Sequence, residues 1–358
     1  MKLVCSKSNL LTGLQVVSKA VPNKTTMSIL ECILIDSTSG EIKLTANDME
    51  LGIETIIEGE ILEKGIIALD AKIFLEIVRK LPDNDITITT DSNFKTAITC
   101  EKAKFNIIGK SGEDFSYLPM IERNESIIIS QYTLKEVIRQ TIFSISDNDN
   151  NKLMSGELFE INGEEMRVIS LDGHRISIRK IHLKNSYPAK KVVVPGKTLN
   201  EISKILSGDA DKDVTIFFTD KHIVFEFENT TVVSRLIEGE YFKIDQMLSS
   251  DYETKVIIHK KELLDCIDRA TLLIKEGDKK PIIINITDGS MELKINSTVG
   301  SMDEEIDIEK MGKDLMIGFN PKFLIDALRV IDDETITIYL VNPKAPCFIR
   351  DEENNYIY

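Results

Sequence analysis

The chain has 358 residues, 42% of them hydrophobic, and 59 acidic residues against 44 lysines and arginines leave a net charge of −15. That length can bury two or three cores, while the acidic balance argues against a generic nucleic-acid binder, whose phosphate affinity comes from lysine and arginine. No apolar run reaches the 18 residues of a membrane helix. The start, MKLVCSKSN, lacks the apolar stretch of a signal peptide, and Cys5, Cys32, Cys100, Cys266 and Cys347 are scattered without CxxC spacing, which argues against disulfides and zinc. Such cysteines read as small core hydrophobes in a reducing compartment, so the expected location is cytoplasmic.

The first predicted element is a short strand, KLVCS, followed by a helix over Asn9–Ala20 in which Leu10, Leu11, Leu14, Val17 and Ala20 share one stripe. Three strand-like runs follow. Then come the strand GIIALD (Gly65–Asp70), a helix over Lys72–Leu81 capped by Asp70, and the runs DITITTD, FKTAITC and KFNIIGK. The order returns near Ile127 with IIIS and a helix over Thr133–Ile145, striped by Leu134, Val137, Ile138 and Ile142. Alternating strands, KVVVP, a helix over Thr198–Leu206 striped by Leu199, Ile202, Ile205 and Leu206, and three more strands complete that block. A third block runs from Lys255: KVIIH, a helix over Lys261–Ile274, strands, DLMIGF, and a helix over Pro321–Ile331 with Asn320-Pro321 at its start.

A period near 125 residues is too long for a solenoid and indicates a triplicated domain. The expected boundaries are 1–124, 125–248 and 249–358, each copy comprising two βαβββ half-units. Turns such as Ser39-Gly40, Asn162-Gly163 and Asp288-Gly289 imply antiparallel sheets, so the fold class is α+β, with sheets on one side and paired helices on the other. Five of the six predicted helices carry net positive charge, whereas strands and loops hold acidic runs such as Asp303-Glu304-Glu305. A solvated face explains any one helix. The repetition of the bias points to a basic layer able to focus field on a polyanion.

Catalytic patterns are scarce. The four histidines, His174, His182, His222 and His259, form no HxxxH pair, and neither GxSxG, GxxxxGK[ST] nor GxGxxG occurs. Asp172-Gly173-His174-Arg175 is the one compact polar cluster, and its plain reading is a tight turn between strands. A hydrolase built on Asp172 and His174, or a protein-only scaffold, are the rival classes. The first lacks a positioned nucleophile; no metal or cofactor is expected.

SLDGHRISI, set after NGEEMRVI, resembles the corresponding segment of the bacterial sliding-clamp family, the β subunits of DNA polymerase III. The likeness spans the chain, from MKLVCSKSNLLTGLQVVSKAV through LTANDMELGI, GEDFSYLP, MSGELFE and SRLIEGEY to FNPKFLIDAL. The resemblance implies three DNA-clamp domains and a non-catalytic polymerase processivity factor. It also implies a head-to-tail homodimer closed into a ring, helices inside and antiparallel sheets outside. Twelve inner helices at roughly 9–10 Å spacing would describe a circle about 35 Å across, wide enough for a solvated duplex. Topology would hold such a ring on double-stranded DNA, so weak, sequence-independent phosphate contacts suffice.

Carried over by residue, the resemblance puts DNA contacts at Lys24, Lys72, Lys197 and the loop Asn148–Lys152, including Asn151 and Lys152. Each lysine has the ordinary solvated surface as its competing reading, and the loop lacks the paired tyrosines of some relatives. The implied peptide groove is lined by Met154, Leu171, Gly173, His174, Arg175, Ile176, Phe242 and Met247, with Asn320 and Phe323 nearby. For Leu171 and Ile176 core packing competes, and Phe242 replaces a frequent proline. Its partners would be the polymerase III α subunit, the clamp loader and other DNA polymerases or repair proteins, through short hydrophobic, often glutamine-led peptides. Relatives usually continue a few residues beyond a segment like NNYIY, so Ile357 is the one terminal groove residue expected here. The joint between copies would set Phe105 against Leu272 and Leu273, with Asp303, Glu304 and Glu305 facing first-domain lysines, and apolar packing outweighing rim charge.

Overall fold

The computed structural model describes residues 1–147, 151–248, 251–275 and 280–358. The first block contains β1 (Lys2–Ser6), α1 (Lys7–Val17), β2 (Cys32–Asp36), β3 (Ile42–Asn47), β4 (Leu51–Ile57), β5 (Glu60–Glu63) and β6 (Ile66–Asp70). It continues with α2 (Ala71–Lys80), β7 (Asp85–Thr90), β8 (Lys95–Cys100), β9 (Ala103–Ile108) and β10 (Lys110–Ser111). The second contains β11 (Ser126–Ser130), α3 (Gln131–Thr141), β12 (Gly156–Leu171), β13 (Ile176–Pro195), α4 (Gly196–Ile205), β14 (Asp213–Phe218), β15 (His222–Phe227) and β16 (Thr230–Arg235). The third contains β17 (Thr254–His259), α5 (Lys260–Thr271), β18 (Ile282–Thr287), β19 (Ser290–Asn296), β20 (Ser301–Asp307), β21 (Glu309–Gly312) and β22 (Leu315–Phe319). It ends with α6 (Pro321–Val330), β23 (Thr335–Leu340), β24 (Phe348–Ile349) and β25 (Tyr356–Ile357).

The repetition extends to single hydrogen bonds. Lys7, Gln131 and Lys260 each open a helix and donate the backbone N–H to the carbonyl just before a later strand: Asn84 O (3.2 Å), Lys212 O (2.7 Å) and Glu334 O (2.8 Å). Lys7, Lys135 and Lys260 then aim their ammonium groups at Leu81 O (2.5 Å), Leu206 O (3.1 Å) and Ile331 O (2.5 Å), the carbonyls that end α2, α4 and α6. A cation at the negative end of a helix both neutralises the dipole and satisfies an orphan acceptor. Caps recur too: Ser6, Asp70, Ser130 and Asn320 accept from Asn9, Ile73, Thr133 and Lys322 N–H.

Contacts divide the chain into two compact units, Met1–Lys135 with Lys197–Ile237, and Glu136–Gly196 with Glu238–Tyr358. The first holds a five-stranded sheet, β5-β1-β7-β8-β9, and a nine-stranded sheet, β10-β6-β2-β3-β4-β16-β15-β14-β11. The second holds β12-β13-β25, β21-β17-β23-β24 and β20-β19-β18-β22. Helices bury one stripe and expose the other: in α2, Phe74 and Val78 are fully buried while Lys72, Arg79 and Lys80 are exposed.

Within the first unit, β4 pairs antiparallel with β16, Ile53 opposite Val232 and Leu51 opposite Ser234. Within the second, β13 pairs in the same fashion with β25, Ile178 opposite Ile357 and Arg179 opposite Tyr356. The strands equivalent to these that lack a partner are β9 and β20, each at the edge of its sheet.

Three helices end short of expectation: α1 at Val17 rather than Ala20, α3 at Thr141 rather than Ile145 and α5 at Thr271 rather than Ile274, with 3₁₀ turns over Ser18–Ala20 and Ile142–Ser144 after the first two. Thr141 Oγ1 donates back to Val137 O (2.7 Å), a side-chain bond that competes with continuation of the helix. Asn162-Gly163 is the expected tight turn: Gly163 takes φ +62°, the register with β13 shifts on both sides of it, and the two halves of β12 double back so that Arg167 Nε reaches Glu160 Oε2 (2.6 Å).

Candidate functional site

The Asp172–Arg175 segment joins β12 to β13 as the expected tight turn. Asp172 Oδ1 accepts from His174 and Arg175 N–H (2.9 and 3.1 Å), and Gly173 takes φ +90°, which favours glycine. That geometry throws His174 out to solvent and folds Arg175 inward.

Arg175 organises the surroundings. Its guanidinium donates to Asp172 Oδ2 (3.0 Å), Asp326 Oδ2 (2.7 Å) and Phe143 O (2.6 Å), and lies 4.6 Å from the Phe323 ring centre and 5.4 Å from that of Phe143. A planar fork with five donors suits three acceptors and two ring faces at once. His174 stacks on the other neighbour of this cluster, Phe323, at 5.9 Å, and Phe143 meets Tyr358 at 5.8 Å. The structure therefore brings together His174, Arg175 and Phe323 and adds Phe143, Asp326 and Tyr358, which sequence reasoning missed. Asp326 was findable, because it lies three residues beyond Phe323 and so shares its helix face.

The remaining candidates are placed less tightly. Ile176 is half-buried and opens β13, whereas Leu171 is only 3% exposed and acts as floor or core. Met154 is half-buried, with its carbonyl bonded to Ser146 N–H (2.7 Å). Phe242 stands edge-on to Tyr241 at 5.5 Å, Met247 is exposed beyond a 3₁₀ turn, and Asn320 is spent as the cap of α6. Ile357 sits in β25 beside Ile178.

Of the expected DNA contacts, Lys24, Lys72 and Lys152 are exposed. Asn151 Oδ1 accepts from Leu153 N–H (3.1 Å) and caps a 3₁₀ turn; Asn148 and the two residues after it lie outside the described residues. Lys197 is not a free cation: it pairs with Asp48, whose other oxygen accepts from Glu50 and Leu51 N–H. Lys322 was missed. It occupies in α6 the place that Lys72 and Lys197 hold in α2 and α4, and Arg79, Lys204 and Arg329 recur likewise two helical turns later on the same face. Lysine in the first turn opposes the helix dipole, so three such lysines are not explained by helix stability.

At the expected joint, Phe105 is 41% and Leu272 80% exposed. Leu273 is half-buried beside Gly300, just before β20. Asp303 and Glu305 are exposed, but Glu304 turns to its own chain and accepts from Arg269 Nε (2.9 Å), which holds its carboxyl below the usual range.

A separate cleft of about 420 Å³ is lined by Glu160, Arg167, Lys191 and Asp245 among others. Its charges are matched internally: burial opposes ionisation of Glu160, yet Lys191 and Arg167 hold its carboxyl low, and Arg167 also reaches Asp245 (2.9 Å). Among the described residues no group of three histidine, cysteine or acidic side chains could hold a metal, and no helix is long and apolar enough to cross a membrane.

Three domains of paired βαβββ units, joined through equivalent strand edges and bearing repeated helix cations, define the clamp fold. The N-terminal, central and C-terminal domain models of the DNA polymerase III beta subunit match residues 1–119, 128–243 and 245–358. A beta sliding clamp from Staphylococcus aureus is 32% identical over 367 aligned positions, covering 100% of this chain and 97% of the relative. A solved structure from Eubacterium rectale, assigned as a DNA polymerase III beta subunit, is 77% identical with TM-score 0.98 and covers 100% of this chain and 97% of that one. The DNA polymerase sliding clamp from Bacillus subtilis is 32% identical with TM-score 0.96 and the same coverage. The chain belongs to the DNA polymerase III beta-subunit family, the bacterial sliding clamps. It is a non-catalytic processivity factor that works with DNA and a polymerase.

Replacing Arg175 by alanine leaves Asp172 and Asp326 without their shared cation. It is expected to lower unfolding free energy by about 3 kcal/mol in urea denaturation, with Arg175→Lys failing to restore it because a point charge cannot replace the fork.

Proposed function

We propose that two copies of this chain, each with domains 1–124, 125–248 and 249–358, close head to tail into a ring around double-stranded DNA. The observation that carries this is the pair of unfilled edges. β9 is the first-domain equivalent of β16, and β20 the third-domain equivalent of β4, as their ladders with β8, β15, β3 and β19 align. Transferring the β4–β16 register to β20 of one copy and β9 of the next sets Met302 opposite Phe105 and Asp303 opposite Lys104. The flanking backbone bonds, Ile56 N–H to Asn229 O and Arg235 N–H to Glu50 O, extend it to Glu305 opposite Lys102 and Val299 opposite Ile108.

Each match is chemically sensible. Apolar residues meet on both faces, opposite charges meet on the outer one, and Glu304 is excused by Arg269. Met302–Phe105 is a sulfur–aromatic contact worth about 0.3–1.5 kcal/mol, whereas each exposed ion pair contributes roughly 0.2–1 kcal/mol and mainly fixes register. Leu272 and Leu273 extend the apolar part.

The DNA reading is supported by exposed Lys72, Lys322, Lys24 and Lys152, with Asn151 beside the last, and by Lys197, Arg79, Lys204 and Arg329, which would exchange their carboxylate partners Asp48, Glu76, Glu201 and Asp268 for phosphate. They offer non-specific phosphate contacts that permit sliding. The peptide reading rests on His174, Arg175, Ile176 and Phe323 around the Gly173 turn, over Leu171, with Met154, Phe242, Met247, Asn320 and Ile357 as further lining. Met and Phe at such positions suit short hydrophobic peptides from several partners, including the polymerase III α subunit and the clamp loader.

Loaded on nicked circular DNA, the protein should run off once the circle is linearised; retention that ignores linearisation would contradict topological linkage. Leu272→Ala with Leu273→Ala should give monomers by sedimentation velocity, and an intact dimer would count against this joint. Lys104→Glu alone should weaken the dimer several-fold by setting like charges opposite each other, and adding Asp303→Lys should restore it. A double variant no better than the single one rejects the register.

A further inference from the structure

The core of the central domain differs in kind from its sisters. Thr141, Ser144, Glu157, Ser170 and Ser177 are all fully buried. Their equivalents are Val17, Ala20, Ile33, Ala46 and Ile53 in the first domain and Ala270, Leu273, Ile282, Ile295 and Met302 in the third. Four of the five polar groups are satisfied: Ser144 and Ser177 share a hydrogen bond (2.5 Å), Ser170 donates to Thr141 O (2.6 Å) and Thr141 to Val137 O (2.7 Å). Glu157 is the exception, with neither carboxylate oxygen bonded among the described residues.

This seam underlies the groove. Ser170 precedes Leu171, Ser177 follows Ile176, and Ser144 follows Phe143, whose carbonyl holds Arg175. Tyr241, next to Phe242, reaches Ile169 O (3.5 Å) and is the ionisable side chain on which the Glu157 charge acts. Burial dominates at Glu157 and raises its carboxyl, while the nearby Thr141 hydroxyl works in the opposite direction, and no cation is a cause of the shift among the described residues.

We propose that Glu157 is a positioning residue of the peptide groove that works as a neutral acid: protonated, it completes the polar seam beneath Leu171, Ile176 and Phe242; ionised, it forces that seam apart and weakens the hold on a peptide. The proposal rests on the groove reading above. As an acid, Glu157 can donate to Thr141 Oγ1, a hydroxyl whose own proton is already committed and whose lone pairs are free to accept. As a carboxylate it would be a fully buried charge with no cation beside it among the described residues, which a neutral hydroxyl does not offset.

Burial pushes the Glu157 carboxyl up to about 8. The native state therefore keeps a proton that the unfolded chain releases in the ordinary carboxylate range. The stabilisation is complete below that range, is lost as pH rises through it, and levels off above about 8. Each pH unit in the interval changes the unfolding equilibrium by about tenfold.

The test uses full-length wild type, Glu157→Gln and Glu157→Ile, the last carrying the sister domains' residue and standing in should the glutamine variant misfold. Urea unfolding is followed from pH 4.5 to 8, and anisotropy reports binding of a fluorescein-labelled pentapeptide, Gln-Leu-Ser-Leu-Phe, at pH 6.5 and 9. The difference between the wild-type and variant profiles is the readout. The expected result is a wild-type unfolding constant rising about tenfold per pH unit relative to either variant, with peptide affinity falling at least fivefold at pH 9 only in wild type. Superimposable profiles overturn the role of Glu157 while leaving the groove intact. Failure of wild type to bind the peptide at either pH overturns the groove reading, and the proposal with it.

Discussion

Unpaired strand edges are the constraint on which the rest of this molecule depends. An antiparallel sheet that ends in solvent leaves a row of N–H and C=O groups open to any extended chain. This fold meets the problem by letting the last strand of one half-unit complete the sheet of the preceding domain, as β16 does for β4 and β25 for β13. Because one solution is used twice, the chemistry of the joint is fixed by repetition rather than by any special residue. What differs is the side-chain content. β4 and β16 bury Ile53 against Val232 inside one chain, whereas β9 and β20 carry exposed Phe105 and Ile108 and outward-facing charges. Charges on an edge discourage indiscriminate pairing while tolerating a partner that brings the opposite sign.

Repetition also shows where the copies have parted. Glu76, Glu201 and Asp326 hold equivalent positions on α2, α4 and α6. The first two bond to their own helix's cation, Arg79 (2.5 Å) and Lys204 (2.8 Å). In α6 the acid leaves Arg329, which turns to Asp268 (3.4 Å), and bonds Arg175 instead. One surface pair of little energetic weight has thus become a partly buried anchor beneath the His174–Phe323 stack. A position that merely solvates two helices positions a site on the third.

Much of the fold was legible because its signals are local. Apolar stripes marked three of the six helices, Asp70 and Asn320 marked the starts of two others, and the near-125-residue period revealed the triplication. The misses lie where a local pattern meets a distant partner. Nothing around Lys197 announces Asp48, nor does the run Asp303-Glu304-Glu305 reveal that only its middle member is held by Arg269. Likewise the groove residues came from resemblance, whereas Asp326, Phe143 and Tyr358 emerged only once α6, the segment after α3 and the final strand met around Arg175. Lys322 needed no structure, only the period applied to Lys72 and Lys197.

The polar seam of the central domain follows from the same comparison. Two sister cores show that this architecture is content with isoleucine at the position of Glu157, so no backbone requirement explains the acid. Stability argues against it, since an isoleucine there would bury more apolar surface and leave no orphaned oxygen. The hydroxyls are less anomalous, because each has a partner and a satisfied buried network can fix one arrangement of the strands that carry it. An acid without a partner is the member that stability alone does not select. Its location among residues adjacent to Leu171, Ile176 and Phe242, and nowhere in the apolar sister cores, fits a core shaped by what lies on top of it. Local rules fail first at functional sites, and here the failure sits among residues adjacent to those of the proposed groove.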